Sequence, residues 1–178
     1  MSGLFPDSVI RRLLAAREER AWLQEYFLSS FAPGVCCVAQ LSLNIPGWPK
    51  RLPGDERAIR AAAKMFTDAL PGAWPPLAGA FLSNAAGLAI LLALRGDPAS
   101  GIKKTVIGLE EGLKWGRALD IDVITSAGPL SRALEGFPAR RCLICGEDAK
   151  ICARTKAHPI EELRGKVESL LGLVPPSR

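Results

Sequence analysis

Apolar residues recur at helical spacing in some stretches of the chain and cluster into β-rich runs in others. Val9, Ile10, Leu13, Leu14, Leu23 and Phe27 follow the 3.6-residue period, so a helix is predicted from Asp7, as its cap, to about Ser29. Pro33-Gly34 ends it, and Val35–Leu43 reads as a strand. The run Asn44-Ile45-Pro46-Gly47-Trp48-Pro49 must be a loop, because two prolines and a glycine forbid a regular element. Asp55–Leu70 is a second helix, stopped by Pro71-Gly72, and Trp74-Pro75-Pro76 opens an irregular stretch. Phe81–Leu94 supplies one or two strands, followed by a turn at Arg95-Gly96-Asp97-Pro98. Ser100 then caps a helix with Ile102, Val106, Leu109 and Leu113 on one stripe, ended by Gly116. Ala118–Thr125 is a strand that turns at Ala127-Gly128-Pro129 into a hairpin with Leu130–Leu134. Helices near Glu147–Ala157 and from Pro159 onward complete the pattern, the last with Ile160, Leu163, Val167, Leu170 and Leu171 inward. Strands alternating with helices predict an α/β fold, a mixed sheet flanked by helices. No repeat or linker interrupts the chain, so one domain over residues 1–178 is expected.

Composition narrows the function classes. Hydrophobic residues make up 48% of the 178 and charged residues 23%, which excludes a disordered chain. Lys and Arg total 23 against 18 acids, a net charge of +5, so an anionic partner is favoured: a nucleic acid, a phosphorylated ligand or an acidic protein. The most apolar stretch, Phe81–Leu94, is broken by Ser83, Asn84 and Gly87 and is shorter than the roughly 20 residues a bilayer needs. No signal-peptide pattern opens the chain, so a cytoplasmic protein with no membrane partner is expected, its five cysteines reduced.

Three groups of residues carry candidate chemistry. In Asp120-Ile121-Asp122-Val123 the two carboxylates point to one face of a strand and the apolar pair to the other. Neighbouring carboxylates make a hard oxygen site suited to Mg²⁺ at a triphosphate. Gly116-Arg117 precedes them, a small residue that lets phosphates near the backbone and a guanidinium that binds them. The second group is Arg140-Arg141-Cys142-Leu143-Ile144-Cys145 with Cys152, Arg154, Lys156 and His158. Zinc at Cys142, Cys145, Cys152 and His158 competes with small core cysteines, and core cysteines are preferred because Cys152 and His158 are six residues apart, not on one helix face. The basic residues there either cover a phosphate-rich ligand or form a solvated face. The third group, Arg17, Arg20 and Gln24, shares a helix face and fits a ligand or a surface ion-pair ladder equally.

Taken in order, these residues resemble the citrate lyase holo-acyl-carrier-protein synthases, the apo-citrate lyase phosphoribosyl-dephospho-CoA transferase family. The similarity is carried by Gly116-Arg117-Ala118-Leu119-Asp120-Ile121-Asp122-Val123, Leu130-Ser131-Arg132, Arg140-Arg141-Cys142-Leu143-Ile144-Cys145, and Cys152-Ala153-Arg154 with Lys156 and His158. Upstream, Arg17-Glu18-Glu19-Arg20 with Gln24 looks like the family's first helix, and Asn44-Ile45-Pro46-Gly47 with Lys50 like its loop after the first strand. The likeness is thin from Pro71 to Gly101. It implies a nucleotidyltransferase-like fold and transfer of the group from 2′-(5″-triphosphoribosyl)-3′-dephospho-CoA to a serine of the apo acyl carrier subunit of citrate lyase, with release of pyrophosphate. It also implies Asp120 and Asp122 as Mg²⁺ ligands, and Arg117 and Glu110 beside them in catalysis. Gly116, Arg132, Arg140, Arg141, Arg154 and Lys156 would bind the donor. Glu110 is the best candidate for a third carboxylate, and Glu110 or His158 for a base. The chain departs from the family where a His-Pro often precedes Gly-Arg; here Leu113-Lys114-Trp115 stands.

Two alternatives compete: the analogous prosthetic-group transferase of malonate decarboxylase, and a zinc-stabilised binding module without catalysis. A nucleic-acid partner is not expected, because no aromatic-rich RNA-binding strand is present and there is one Tyr. The Asp pair separates catalyst from module, since only a catalyst needs it.

Overall fold

The computed structural model describes residues 6–31, 34–70, 76–95 and 99–175. One five-stranded sheet, ordered β2-β3-β1-β4-β5, carries helices on both faces. Its strands are β1 (Cys37–Leu43), β2 (Pro76–Asn84), β3 (Gly87–Leu94), β4 (Leu119–Thr125) and the short β5 (Gly128–Pro129). The helices are α1 (Asp7–Ser30), α2 (Asp55–Ala69), α3 (Ala99–Gly112), α4 (Ala149–Thr155) and α5 (Ile160–Leu171), with a 3₁₀ turn at Gly116–Ala118.

The α/β class and the flanking helices are as expected, but every neighbouring pair in the sheet is antiparallel rather than mixed. The connections explain this. The chain passes from β1 through α2 to β2, and from β3 through α3 to β4, each time skipping one strand position. The parallel partner of each crossover therefore lies two places away, and an antiparallel strand fills the gap.

The main core lies on the face covered by α2, α3 and α5. Leu41, Leu119, Ile121 and Val123 of the sheet meet Ile59 and Phe66 of α2, Ile102 and Val106 of α3, and Val167 and Leu171 of α5. Fully burying a side chain of this size stabilises the fold by about 1.5–3 kcal/mol. A smaller cluster, Phe27 with Val38, Ala89, Leu91 and Ala93, seats α1 on the other face.

Several boundaries differ from expectation. Pro6, not Asp7, occupies the α1 N-cap, and its carbonyl accepts the N–H groups of Val9 and Ile10. Asp7 instead opens the first turn, where its charge complements the helix dipole. Ser100 is the second residue of α3, and that helix ends at Gly112, not Gly116. Phe81–Leu94 forms parts of two strands joined by a tight turn, with β2 starting as early as Pro76. The expected Leu130–Leu134 strand does not form. One further ladder bond, from Leu130 N–H to the Val123 carbonyl, extends the pairing, and the chain then leaves the sheet because Arg132 is drawn to the carboxylates of Glu110 and Glu111. The breakers Pro33, Pro71-Gly72, Gly96-Asp97-Pro98 and Pro176 lie outside the described residues. Among the described residues no helix is long and apolar enough to cross a membrane.

Candidate active site

β4 pairs with β1 from Leu119 to Ile124 but with β5 only at Ile124 and Thr125. Its outer edge from Leu119 to Asp122 would expose bare backbone, and side chains close it. The Ile121 N–H donates to Glu110 Oε1 at 3.0 Å, Lys103 Nζ donates to the Ile121 carbonyl at 3.4 Å, and Arg140 Nη2 donates to the Leu119 carbonyl at 2.8 Å. Polar side chains here do the work of a sixth strand.

Asp120 and Asp122 lie opposite Ser42 and Gln40 of β1, on the α1 face of the sheet, while Ile121 and Val123 point into the main core. The alternation expected from Asp-Ile-Asp-Val is therefore present. The Asp120 side chain is half-exposed. Burial pushes the Asp122 carboxyl above its ordinary value, and the Asp120 charge pushes the same way, against the pull of Lys103 and Arg140.

Glu110, expected as a third free carboxylate, is only 4% exposed and has both oxygens engaged. Oε2 accepts from Arg132 Nη2 at 2.6 Å, and Oε1 lies 2.5 Å from Arg140 Nη2. Arg140 also turns Nη1 toward Asp120 Oδ1, at 3.4 Å. This one guanidinium links the buried Glu110 to the half-exposed Asp120. A cleft of about 410 Å³ opens beside it, with Lys103, Glu110, Asp120, Asp122, Ser131 and Arg132 in its walls.

Arg140 lines a second cavity as well, of about 200 Å³, together with Arg117, Arg141, Asn44, Cys142 and His158. Arg117 donates to the Arg141 carbonyl. Burial, then Arg140 and Arg132, lower the Arg117 pKa, while Glu110 opposes them. Gly116, expected to admit phosphates, is buried instead. A Cβ there would meet the carbonyl oxygens of Glu110 and Leu109 at 2.5 and 2.6 Å, so glycine is required for packing against the end of α3. Arg154 and Lys156 are exposed on and just after α4.

Cys142, Cys145, Cys152 and His158 form a group that could hold a metal ion, with their ligand atoms all within 4.8 Å of one another. This corrects the preference for core cysteines: Cys145 is exposed and Cys142 only partly buried, whereas Cys37 alone of the five is buried. The spacing objection also falls. α4 ends at Thr155, and Lys156 in the left-handed conformation folds the chain back, so His158 is not on the helix at all. Burial pushes the Cys142 thiol up, but the N–H groups of Cys145 and Ile144 and the neighbouring thiols outweigh it and bring it down to about 7.

The α1 face of the sheet is basic. Arg20 donates to the Ala86 and Gly87 carbonyls at 2.9 and 3.1 Å, Gln24 donates to Gln40 Oε1 at 2.9 Å, and Lys50 donates to the Ile45 carbonyl at 2.7 Å. The Arg20 and Gln24 bonds tie α1 to the sheet and are not a surface ladder, and the Lys50 bond closes the loop after β1. Burial lowers the pKa of Lys50, helped by Arg17, Arg164 and Arg20, while Asp120 opposes them.

Lys103 was missed in the sequence, although a signal existed. It is 5% exposed and stands seven residues before Glu110, with Ile107 between them on the same helical stripe.

Comparison with known proteins gives the family. The sequence profile of the family described as apo-citrate lyase phosphoribosyl-dephospho-CoA transferase matches residues 8–173. A protein of Citrobacter koseri with that name is 36% identical over 173 residues, covering 91% of this chain and 87% of its own length. "Probable" members from Streptococcus pyogenes and Vibrio cholerae are 32% and 27% identical, over 89% and 91% of this chain and 83% and 88% of their own lengths. The matched span takes in the Asp pair, the Arg140 hub and the Cys/His group, and the chain belongs to the apo-citrate lyase phosphoribosyl-dephospho-CoA transferase family.

Proposed function

We propose that this chain transfers the phosphoribosyl-dephospho-CoA group from its triphosphate donor to a serine of the apo acyl carrier subunit of citrate lyase. The observation that carries the reading is Arg140, which stands in the wall of both cavities and touches Asp120, so a metal-type carboxylate pair and a cationic phosphate pocket share one side chain. An antiparallel sheet with paired aspartates on one strand is also compatible with a nucleotidyltransferase-like fold.

Asp120 and Asp122 would hold Mg²⁺. The donor set fits: two hard oxygen ligands on one face, with Asp122 already unfavourably charged by burial and by its neighbour. When bound, the ion supplies charge neutralisation on the triphosphate. The protein's own part is positioning. Arg117, Arg140 and Arg141 bind phosphate oxygens in the smaller cavity, and Arg132 closes the larger. Glu110 acts on the reaction only through the two arginines that it holds in place.

The carrier serine oxygen attacks the phosphorus next to the ribose. A new P–O bond forms, the bond to the terminal pyrophosphate breaks, and the serine proton leaves to solvent. Glu110, with both oxygens bonded, is not free to take that proton, and His158 has its Nε2 3.3 Å from Cys145 Sγ. Pyrophosphate release in the presence of donor, Mg²⁺ and apo carrier tests the reading. Release is expected with the wild-type carrier and absent when its acceptor serine is replaced by alanine. Equal release with both carriers would refute serine transfer.

A further inference from the structure

The proposed transfer needs no chemistry from Cys142, Cys145, Cys152 and His158, yet three separate segments bring them together. Cys145 Sγ lies 3.4 Å from Cys152 Sγ and 3.3 Å from His158 Nε2. Ligands held 2.0–2.3 Å from a tetrahedral ion stand roughly 3.5 Å apart, so the group has the size of one coordination shell. Three sulfurs and an imidazole are a soft set that suits zinc, not the hard magnesium ion.

Two further features point the same way. The turn that carries the first two cysteines directs backbone toward sulfur: the Ile144 N–H donates to Cys142 Sγ at 3.5 Å, and Gly146, at φ +77°, reverses the chain directly after Cys145. Such N–H donors are the outer support expected around ligating thiolates. The second feature is α4, a seven-residue helix with no buried residue. A helix that short does not persist on its own, and this one sends no fully buried side chain into the core.

We propose that these four residues bind one zinc ion, and that the ion is structural. All four positions are filled by the protein, so none is left for water or substrate. The ion joins the 142–146 turn, α4 and the turn after it. Arg140 and Arg141 directly precede the first ligand. Their segment is bound to α4 by the Arg141–Asp148 bridge and by the Ala149 N–H, which donates to the Arg140 carbonyl at 2.9 Å. The zinc thus holds the strip of chain that presents both arginines to the smaller cavity.

The test is elemental analysis of the full chain, purified with a non-thiol reductant and without chelator, together with Co²⁺ titration of the chelator-stripped protein. One equivalent of zinc is expected, with the intense thiolate–cobalt bands of a tetrahedral site on titration. The Cys145→Ser and His158→Ala variants should lose most of the zinc. Chelation should lower the Tm of the wild-type protein, with recovery on adding zinc, so the proposal stays testable even if a variant does not fold. Metal-free protein that gives no tetrahedral cobalt spectrum under reduction would overturn it. So would a full equivalent of zinc retained in Cys145→Ser, or a Tm indifferent to chelation.

Discussion

Arg140 lays its guanidinium across the open edge of β4 and sets Nη2 2.5 Å from the buried Oε1 of Glu110. Glu110 in turn holds Arg132, so its loss leaves Arg132 with only the exposed Glu111 and Arg140 with only the half-exposed Asp120. Glu110→Gln is expected to destabilise the protein by about 3 kcal/mol, the usual result of removing one partner from a buried pair. Urea denaturation measures this directly. A loss below about 0.5 kcal/mol would put the cluster in the class of surface pairs.

Asp122 should behave in the opposite way. Its folded-state pKa is raised by burial and by Asp120, so the native state binds its proton more tightly than the unfolded state does. Stability from this group is therefore fully present below the ordinary carboxylate value and is lost as pH rises through the raised folded pKa. Asp122→Asn removes that penalty. The variant should be inactive yet at least as stable as the wild type at neutral pH, with the difference shrinking as pH falls below the ordinary carboxylate range. Thermal melts across pH check the sign: a variant less stable at pH 7 contradicts the assignment.

Asp120 is half-exposed and can be changed with little effect on folding. Asp120→Asn should abolish transfer while the melting temperature and spectrum stay near wild type. Near-normal turnover in both Asp120→Asn and Asp122→Asn would remove the metal site from the mechanism.

Arg117 and Arg141 meet through a hydrogen bond to backbone and share the smaller cavity. Replacing either by alanine should reduce kcat/KM by roughly 10²-fold, the loss of a charge-assisted phosphate contact. Donor titration by calorimetry should show the loss in binding. Unchanged affinity in both variants would leave the two arginines as solvated charges.

Helices and central strands were legible because one face of each is buried, as with Ile102 and Val106 of α3 or the alternation in β4. The order of the strands was not, since it depends on which position each crossover skips. Leu130–Leu134 failed as a strand because attraction between Arg132 and carboxylates some 20 residues away outweighs local β-propensity. In the site, Asp120 and Asp122 could be read from their spacing, which is local. The engagement of Glu110 could not, since its partners are distant in sequence. The Cys/His group was misread for a backbone reason: a single left-handed residue, Lys156, turns His158 off the helix axis, and no periodicity encodes that.

The central claim is tested most directly by intact-mass measurement of apo acyl carrier subunit incubated with this chain, donor and Mg²⁺. The account predicts that the carrier gains the mass of one phosphoribosyl-dephospho-CoA group at serine while the enzyme mass stays unchanged. An unmodified carrier would contradict the assigned activity, and a covalent adduct on the enzyme that passes to the carrier would contradict direct transfer.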